Sequence, residues 1–184
     1  MRVIAGSLKG RRLTSPSWIG LRPTSDRLRE TLFNVLASRI GGAHVLDGYA
    51  GTGAVGIEAL SRGAASVTFV ERDRRAQALV AENLARCGIS GGYAIIRASV
   101  ARAIEMLRQG SSRFDIIVLD PPYGETAAEI DSVLEAAGDV TAAGGVLAFE
   151  HERRRRTAEA AGRLVRTREV ASGDSALTLY ELRG

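Results

Sequence analysis

The sequence predicts an α/β fold, a doubly wound and mostly parallel sheet finished by an antiparallel pair of strands. Three observations carry that expectation. From residue 44 onward, short apolar runs alternate with segments of helical period, the pattern of a parallel sheet covered by helices on both faces. Each helical segment runs into a glycine, at Gly63, Gly88, Gly110 and Gly138, the residue best able to take a left-handed helix stop. The last two β-type runs, LVRTREV and ALTLYEL, flank Ser172-Gly173-Asp174, a turn that makes them a hairpin.

Taken in order, RVIAGSLKGRRL reads as two short strands around a Gly-Ser-Leu-Lys-Gly turn, and LRPTSDRLRETLFNVLASRI as a loop feeding a helix. Thr24 or Ser25 caps that helix, Asp26 and Glu30 fall near its positive end, and Leu28, Leu32, Val35 and Leu36 form its apolar stripe. Strands are expected at His44–Leu46, Val67–Val70, Ala94–Ile96, Ile116–Leu119 and Val146–Phe149, with helices at Val55–Arg62, Arg74–Cys87, Val100–Gln109 and Ala127–Ala137 between them. After Glu150 comes a basic, helix-like stretch containing Arg153 to Arg156. The expected organisation is one domain over 1–184, with residues 1–40 as an extension on a core of 41–184.

A chain of 184 residues suits one domain that buries roughly 70% of its unfolded surface. No apolar run reaches the roughly 18 residues of a membrane span, and the N-terminus lacks the apolar core of a signal peptide, so a cytoplasmic protein with no membrane partner is expected. Cys87 is alone, in a helical pattern, which predicts a buried thiol. His44 and His151 have no cysteine cluster to join, so no metal site is expected. Charge is uneven. Residues 1–40 carry eight basic side chains against Asp26 and Glu30, a net of +6, while the remaining 144 residues sum to −2. A basic arm on a slightly acidic body suits a polyanion such as nucleic acid, with a solubilising surface as the alternative.

Two constellations carry chemistry. In LDGYAGTGAVGIEAL, Gly51-x-Gly53-x-x-Gly56 lies between a strand and a helix, where glycines let the backbone pass under a ligand and the helix offers a partly positive end. Glu71 ends the next strand, 24 positions after Asp47, where an acid can accept ribose hydroxyls. A nucleoside cofactor follows from the pair. Asp47-Gly48-Tyr49-Ala50 precede the glycines, and a carboxylate there repels a pyrophosphate but suits S-adenosylmethionine, which carries a sulfonium and an α-ammonium. The second constellation is Asp120-Pro121-Pro122-Tyr123 after FDIIVL. Prolines cannot extend a ladder, so the strand stops with its carboxylate at the carboxyl edge of the sheet, where ligands of doubly wound folds bind. Asp120 and the Pro121 carbonyl can accept both hydrogens of a nucleobase amine and free its lone pair for attack. Tyr123 supplies a stacking face worth about 1–3 kcal/mol.

Asp120-Pro-Pro-Tyr resembles the (D/N)PP(Y/F) motif of amino-group methyltransferases, and DGYAGTGAVG the cofactor motif of class I S-adenosylmethionine-dependent enzymes. With RVIAGSLKGRRL and LRPTSDRLRETLFNVL, they extend the resemblance over nearly the whole chain to the RsmD family, bacterial 16S rRNA guanine-N2 methyltransferases. The resemblance implies a class I Rossmann-like sheet of seven strands, methyl transfer to guanine N2, and a substrate of 16S rRNA within the small ribosomal subunit or an assembly intermediate. It marks Asp120, Pro121, Pro122 and Tyr123 as catalytic. Asp47, Tyr49, Ala50, Gly51, Gly53, Glu71, Arg72, Ser99 and Val100 become candidates for cofactor contact, and Arg2, Lys9, Arg11, Arg12 and Arg22 for RNA contact. A monomer is expected. This chain departs from the family pattern at Ser99, where relatives often carry Asp or Asn, and at Gly48, where a bulkier apolar residue is common.

Two alternatives stand beside this one. A DNA methyltransferase acting on adenine or cytosine uses the same amine chemistry, but a sequence-specific one usually needs a recognition segment larger than a forty-residue arm. A cytosine-C5 mechanism further requires a nucleophilic cysteine in the pocket, and Cys87 is expected far from Asp120. A nucleic-acid-binding protein with a degenerate cofactor fold would not need the glycine loop, Glu71 and DPPY together.

Overall fold

The computed structural model describes residues 1–16, 25–122 and 124–183. Its elements are α1 (Asp26–Val35), β1 (His44–Gly48), α2 (Ala54–Ser61), β2 (Ser66–Val70), α3 (Arg74–Arg86), β3 (Tyr93–Ile96), α4 (Val100–Gln109), β4 (Phe114–Leu119), α5 (Ala127–Ala137), β5 (Thr141–Glu152), β6 (Ala160–Ala161), β7 (Leu164–Ser172) and β8 (Ser175–Leu182). The strands form one sheet in the order β3-β2-β1-β4-β5-β8-β7-β6. β1 pairs in parallel with β2 on one side and β4 on the other, so the winding reverses between β1 and β4 and opens a crevice at their carboxyl ends. β8 runs antiparallel between β5 and β7, closing the sheet as the sequence predicts.

The strands read as near-continuous apolar runs because both faces are covered. Val45, Ile116, Val118 and Ala148 face a core shared with α1, α2, α3 and the N-terminal arm. Leu46, Ile117, Leu119 and Phe149 face a second core with α4 and α5, the period-2 alternation of a strand. Helix starts are set by polar side chains: Ser25, Asp73, Ser99 and Thr126 accept from first-turn N–H groups of α1, α3, α4 and α5. Thr126 forms a full capping box with Glu129. Ser25 is thus the cap of α1; Thr24 and Arg22 lie outside the described residues.

Several local expectations are corrected. Gly63 and Gly88 take positive φ, but Gly110 and Gly138 have φ of −77° and −57°; after α4 the left-handed position falls on Ser111 at φ 56°. The stretch after Glu150 is not helical. β5 runs on through His151 and Glu152 because β8 is long enough to pair with both, and a turn follows. The two-residue β6 adds an eighth strand to the expected seven. The hairpin closes with Ser172 opposite Ser175, and Gly173 takes φ 65°.

At the N-terminus the two predicted strands reduce to an isolated antiparallel bridge, Arg2 with Arg12. The chain leaves the ladder early because Glu58 of α2 captures it. This buried carboxylate accepts from the N–H groups of Ile4 and Ala5 at 2.7 and 2.9 Å and from Arg62 Nε at 2.8 Å. Gly6, at φ 81°, lies so close to α2 that a Cβ would stand 1.9 Å from the Ser61 carbonyl oxygen. Arg29 belongs to the basic segment in sequence but is fully buried, donating Nη2 to the Arg2 carbonyl and Asp26; it is part of the scaffold, not of a charged surface. Glu58→Ala leaves two backbone N–H groups and the Arg62 guanidinium without their acceptor. It is expected to cost about 2–4 kcal/mol in urea denaturation and to speed proteolysis within the first sixteen residues.

Candidate active site

At the carboxyl ends of β1, β2, β4 and β5 the structure opens a cleft of about 780 Å³. Its floor begins with Asp47 near the end of β1, 3% exposed. Gly53 is the N-cap of α2 and has no side chain to serve the helix; Asp47 Oδ2 does so from the strand, accepting the Gly56 N–H at 2.9 Å. The third glycine of the motif is required for that approach, since a Cβ on Gly56 would fall 2.2 Å from the Phe69 ring. Gly51 and Gly53 take φ of 55° and 76°, which only glycine adopts without strain.

Gly51 also donates its N–H to Glu71 Oε2 at 3.0 Å, while Glu71 Oε1 accepts from the Asp73 N–H at 2.8 Å. Two backbone donors therefore aim the carboxylate, and each oxygen keeps a second lone pair for a ligand. Asp47, Glu71 and Asp120 all border the cleft. Burial, and then repulsion from Asp120 and Glu71, push the Asp47 carboxyl up to about 7 against the pull of the Gly56 N–H. With Asp73, Glu125, Glu150 and Glu152 also on the lining, acidic side chains outnumber Arg72, Arg75 and Arg155 there and favour a cationic occupant.

Most predicted cofactor residues come together here. Tyr49, Ala50, Gly51, Arg72, Ser99 and Val100 line the cleft with Asp47 and Glu71, whereas Gly53 supports it from beneath as the helix cap. Ser99 caps α4 through Arg102 N–H at 3.3 Å, the job an Asp or Asn would do. Gly48 has a packing cause: a Cβ there would meet Leu119 Cδ2 at 2.6 Å. Tyr49 takes φ 68°, uncommon for a bulky residue, and its hydroxyl donates to Glu125 Oε2 at 2.5 Å. Burial and the Glu125 carboxylate raise the phenol well above its ordinary value. This bond ties the cofactor loop to the segment after DPPY. Sequence reasoning missed it, because nothing local marks Glu125 as the partner of a residue 76 positions earlier.

Asp120, Pro121 and Pro122 line the same cleft just beyond β4; Tyr123 lies outside the described residues. The Pro122 carbonyl accepts the Glu125 N–H at 3.1 Å, so it is engaged in the turn. The far wall was not anticipated. Phe149 and His151 stack at 5.1 Å between ring centroids, and the Arg155 guanidinium lies 5.4 Å from the Phe149 ring centre. His151 Nε2 bonds Thr178 Oγ1 at 2.8 Å, and burial lowers its pKa, which suits a structural imidazole. Ser25 and Leu28 of α1 close that end. Cys87 is buried in the core beneath α3 with its thiol pKa raised by burial, and is not among the residues lining the cleft.

Arg2, Lys9, Arg11 and Arg12 are exposed and outside the cleft. They are nevertheless fixed to it. Asn83 of α3 accepts the Thr14 N–H and donates to the carbonyls of Thr14 and Thr52, at 2.7, 3.1 and 2.9 Å, joining the arm to the glycine loop.

The model of the family described as Conserved hypothetical protein 95 matches residues 1–181. The chain is 35% identical over 184 residues, all of both chains, to "Putative rRNA methyltransferase YlbH" of Bacillus subtilis. It is 45% identical over 123 residues to "Ribosomal RNA small subunit methyltransferase D" of Escherichia coli, covering 67% of this chain and 60% of that one. A solved structure described as "Putative methyltransferase yhhF from Escherichia coli" superimposes with a TM-score of 0.84 at 32% identity, over 100% of this chain and 98% of the other.

The raised Asp47 pKa has a consequence for stability. Between the ordinary carboxyl value of 3.8 and about 7 the native state holds a proton that the unfolded chain has released, so rising pH favours unfolding across that window. The contribution is complete below pH 3.8 and gone above about 7. In Asp47→Asn the amide oxygen can still accept from Gly56, and this segment of the pH–stability curve should flatten relative to wild type, as read by urea denaturation at a series of pH values.

Proposed function

We propose that this chain, which belongs to the Conserved hypothetical protein 95 family and to the RsmD family that its motifs resemble, is an S-adenosylmethionine-dependent methyltransferase that modifies a guanine N2 amine in 16S rRNA of the small ribosomal subunit. The observation that carries the proposal is the meeting in one cleft of Asp120-Pro121-Pro122 with Asp47, the glycine loop and Glu71. The names of the B. subtilis and E. coli relatives support ribosomal RNA as the substrate class.

The residues fit the cofactor. The hollow offers carboxylates for an ammonium and sulfonium, a backbone path without Cβ atoms at Gly51 and Gly53, and Glu71 held by two N–H groups for ribose hydroxyls. A cation bound beside Asp47 draws the carboxyl pKa back down, so binding releases a proton when it begins near pH 7 and tightens as pH rises. S-adenosylmethionine, when bound, supplies an electrophilic methyl whose carbon–sulfur bond breaks, the pair staying on sulfur, as the amine lone pair forms the carbon–nitrogen bond.

The protein's task is to present that lone pair. Asp120 accepts one N2 hydrogen. The Pro121 carbonyl is the better second acceptor, since that of Pro122 is taken by Glu125. Held by two acceptors, the nitrogen pyramidalises and its lone pair is withdrawn from the ring π system and localised toward the methyl. Asp120 then steadies the positive charge that grows on nitrogen and receives the departing proton. Tyr123 offers the base its stacking face, and the target guanine enters unpaired or extruded. The exposed Arg2, Lys9, Arg11 and Arg12 engage phosphates. The chain acts as a monomer on the assembled subunit or its precursor.

The decisive measurement is transfer of labelled methyl from S-adenosylmethionine to small subunits lacking the modification, to naked rRNA and to duplex DNA, with the product identified by mass. N2-methylguanine in subunit RNA is expected; methylated DNA with untouched subunits would refute the substrate. Asp120→Ala should lower turnover by about 10²-fold or more and cofactor affinity by far less, and equal loss of both would mark Asp120 as structural. Replacing Arg11 and Arg12 with Ala should weaken subunit binding at low salt and reduce the slope of log affinity against log salt by about 1–2.

A further inference from the structure

Grip on an amine does not identify the base that carries it, because adenine, cytosine and guanine all present one. A further group must read the ring. Parallel register between β4 and β5 runs through Leu119 opposite Phe149, so Asp120, the first residue past β4, comes beside Glu150, which still lies within β5. Leu119 and Phe149 face the second core, while Val118 and Ala148 face the first; continued alternation puts Asp120 and Glu150 together on the first side. Both are half-buried and both line the cleft, at the end closed by Ser25 and Leu28.

We propose that Glu150 is the specificity-determining residue for the base, accepting the guanine N1–H while Asp120 holds the N2 amine. The assignment rests on the activity proposed above. Guanine presents N1–H and the 2-amine side by side, an unbroken row of donors. Adenine has a lone pair at N1 beside its amine, and cytosine one at N3. Two adjacent carboxylates match the first pattern, whereas Glu150 set against a ring lone pair is repelled. Rejection by a misplaced polar group is stronger than discrimination by shape.

The test uses small subunits reconstituted with rRNA that carries, at the mapped acceptor, either guanosine or 2,6-diaminopurine riboside. The analogue keeps the 2-amine but has a lone pair at N1. Wild type should favour guanosine by roughly 10- to 100-fold. Glu150→Gln, whose amide can accept the guanine N1–H as a neutral group or donate to that lone pair, should lose part of guanosine transfer and gain on the analogue, narrowing or reversing the ratio. Affinity for S-adenosylhomocysteine should be unchanged. Glu150→Ala should lose guanosine transfer without rescuing the analogue. A wild-type guanosine preference retained by Glu150→Gln would overturn the assignment while leaving the activity intact. If the variants fail to fold, seen as absent S-adenosylhomocysteine binding, the wild-type ratio decides, and a value near unity would overturn it. Failure of wild type to methylate guanosine-containing subunits, with cofactor bound, would instead overturn the activity and the assignment with it.

Discussion

The site depends on the bond between the Asp47 carboxylate and the Gly56 N–H. A helix beginning on glycine has no side-chain cap, and a carboxyl group near a strand end in the interior is costly without a hydrogen-bond donor. Each defect answers the other. With that bond in place α2 lies so close to the sheet that Gly56 must lack a Cβ, Phe69 and Val67 of β2 standing in its way, and the glycine loop sits at one height above the sheet. From that loop the Gly51 N–H reaches Glu71, Glu71 holds the Asp73 N–H, and Asp73 caps α3. One strand-to-helix contact is thereby propagated to two strand ends and two helix starts.

The same scaffold holds the basic arm. Glu58 and Asn83 are buried polar side chains on the two helices that follow the cofactor elements, and each directs its hydrogen bonds to arm backbone. Asn83 touches the arm and the glycine loop at once. A cationic surface made of a loose tail would bind phosphates with no fixed relation to the reacting atoms. Here Arg2 and Arg12 are paired backbone to backbone on a segment anchored to α2 and α3, so arm and cleft share one frame, the arrangement that the proposed positioning of an RNA base would use.

What the sequence revealed and what it hid follow the range of the forces involved. Strand and helix order, the hairpin at Gly173 and the cap of α1 at Ser25 were legible because apolar period and short polar side chains act within a few residues. The cleft's near wall was legible because Gly51, Gly53 and Asp47 stand within one strand–turn–helix unit. Its far wall was hidden. Phe149, His151, Arg155 and Leu28 meet only through the sheet order, and the continuation of β5 past Glu150 depends on a partner strand 25 residues later. Glu58 did leave a trace, a carboxylate in the apolar helix AVGIEALS, where an acid has to find buried donors. The mistaken helix after Glu150 arose from a run of arginines; pairing with β8 holds His151 and Glu152 in β5, and Arg153 to Arg156 follow in a turn and irregular chain.

The electrostatics of the cleft reconcile its stability with its chemistry. Asp47, Glu71 and Asp120 would repel one another if all were ionised in an empty hollow, and the protein relieves this by letting Asp47 keep its proton to about pH 7. A cationic ligand removes the reason for that proton. The carboxylates that disfavour one another without ligand become complementary with it, so binding energy arises partly from relief of that repulsion and only partly from direct interaction with the ligand. Selectivity follows from the same asymmetry: a neutral nucleoside leaves the repulsion in place and an anionic one adds to it, whereas a sulfonium with an α-ammonium cancels it. The acid in Asp47-Gly-Tyr-Ala-Gly, at odds with a pyrophosphate site, is therefore the feature that the proposed cofactor reading explains and a dinucleotide reading does not.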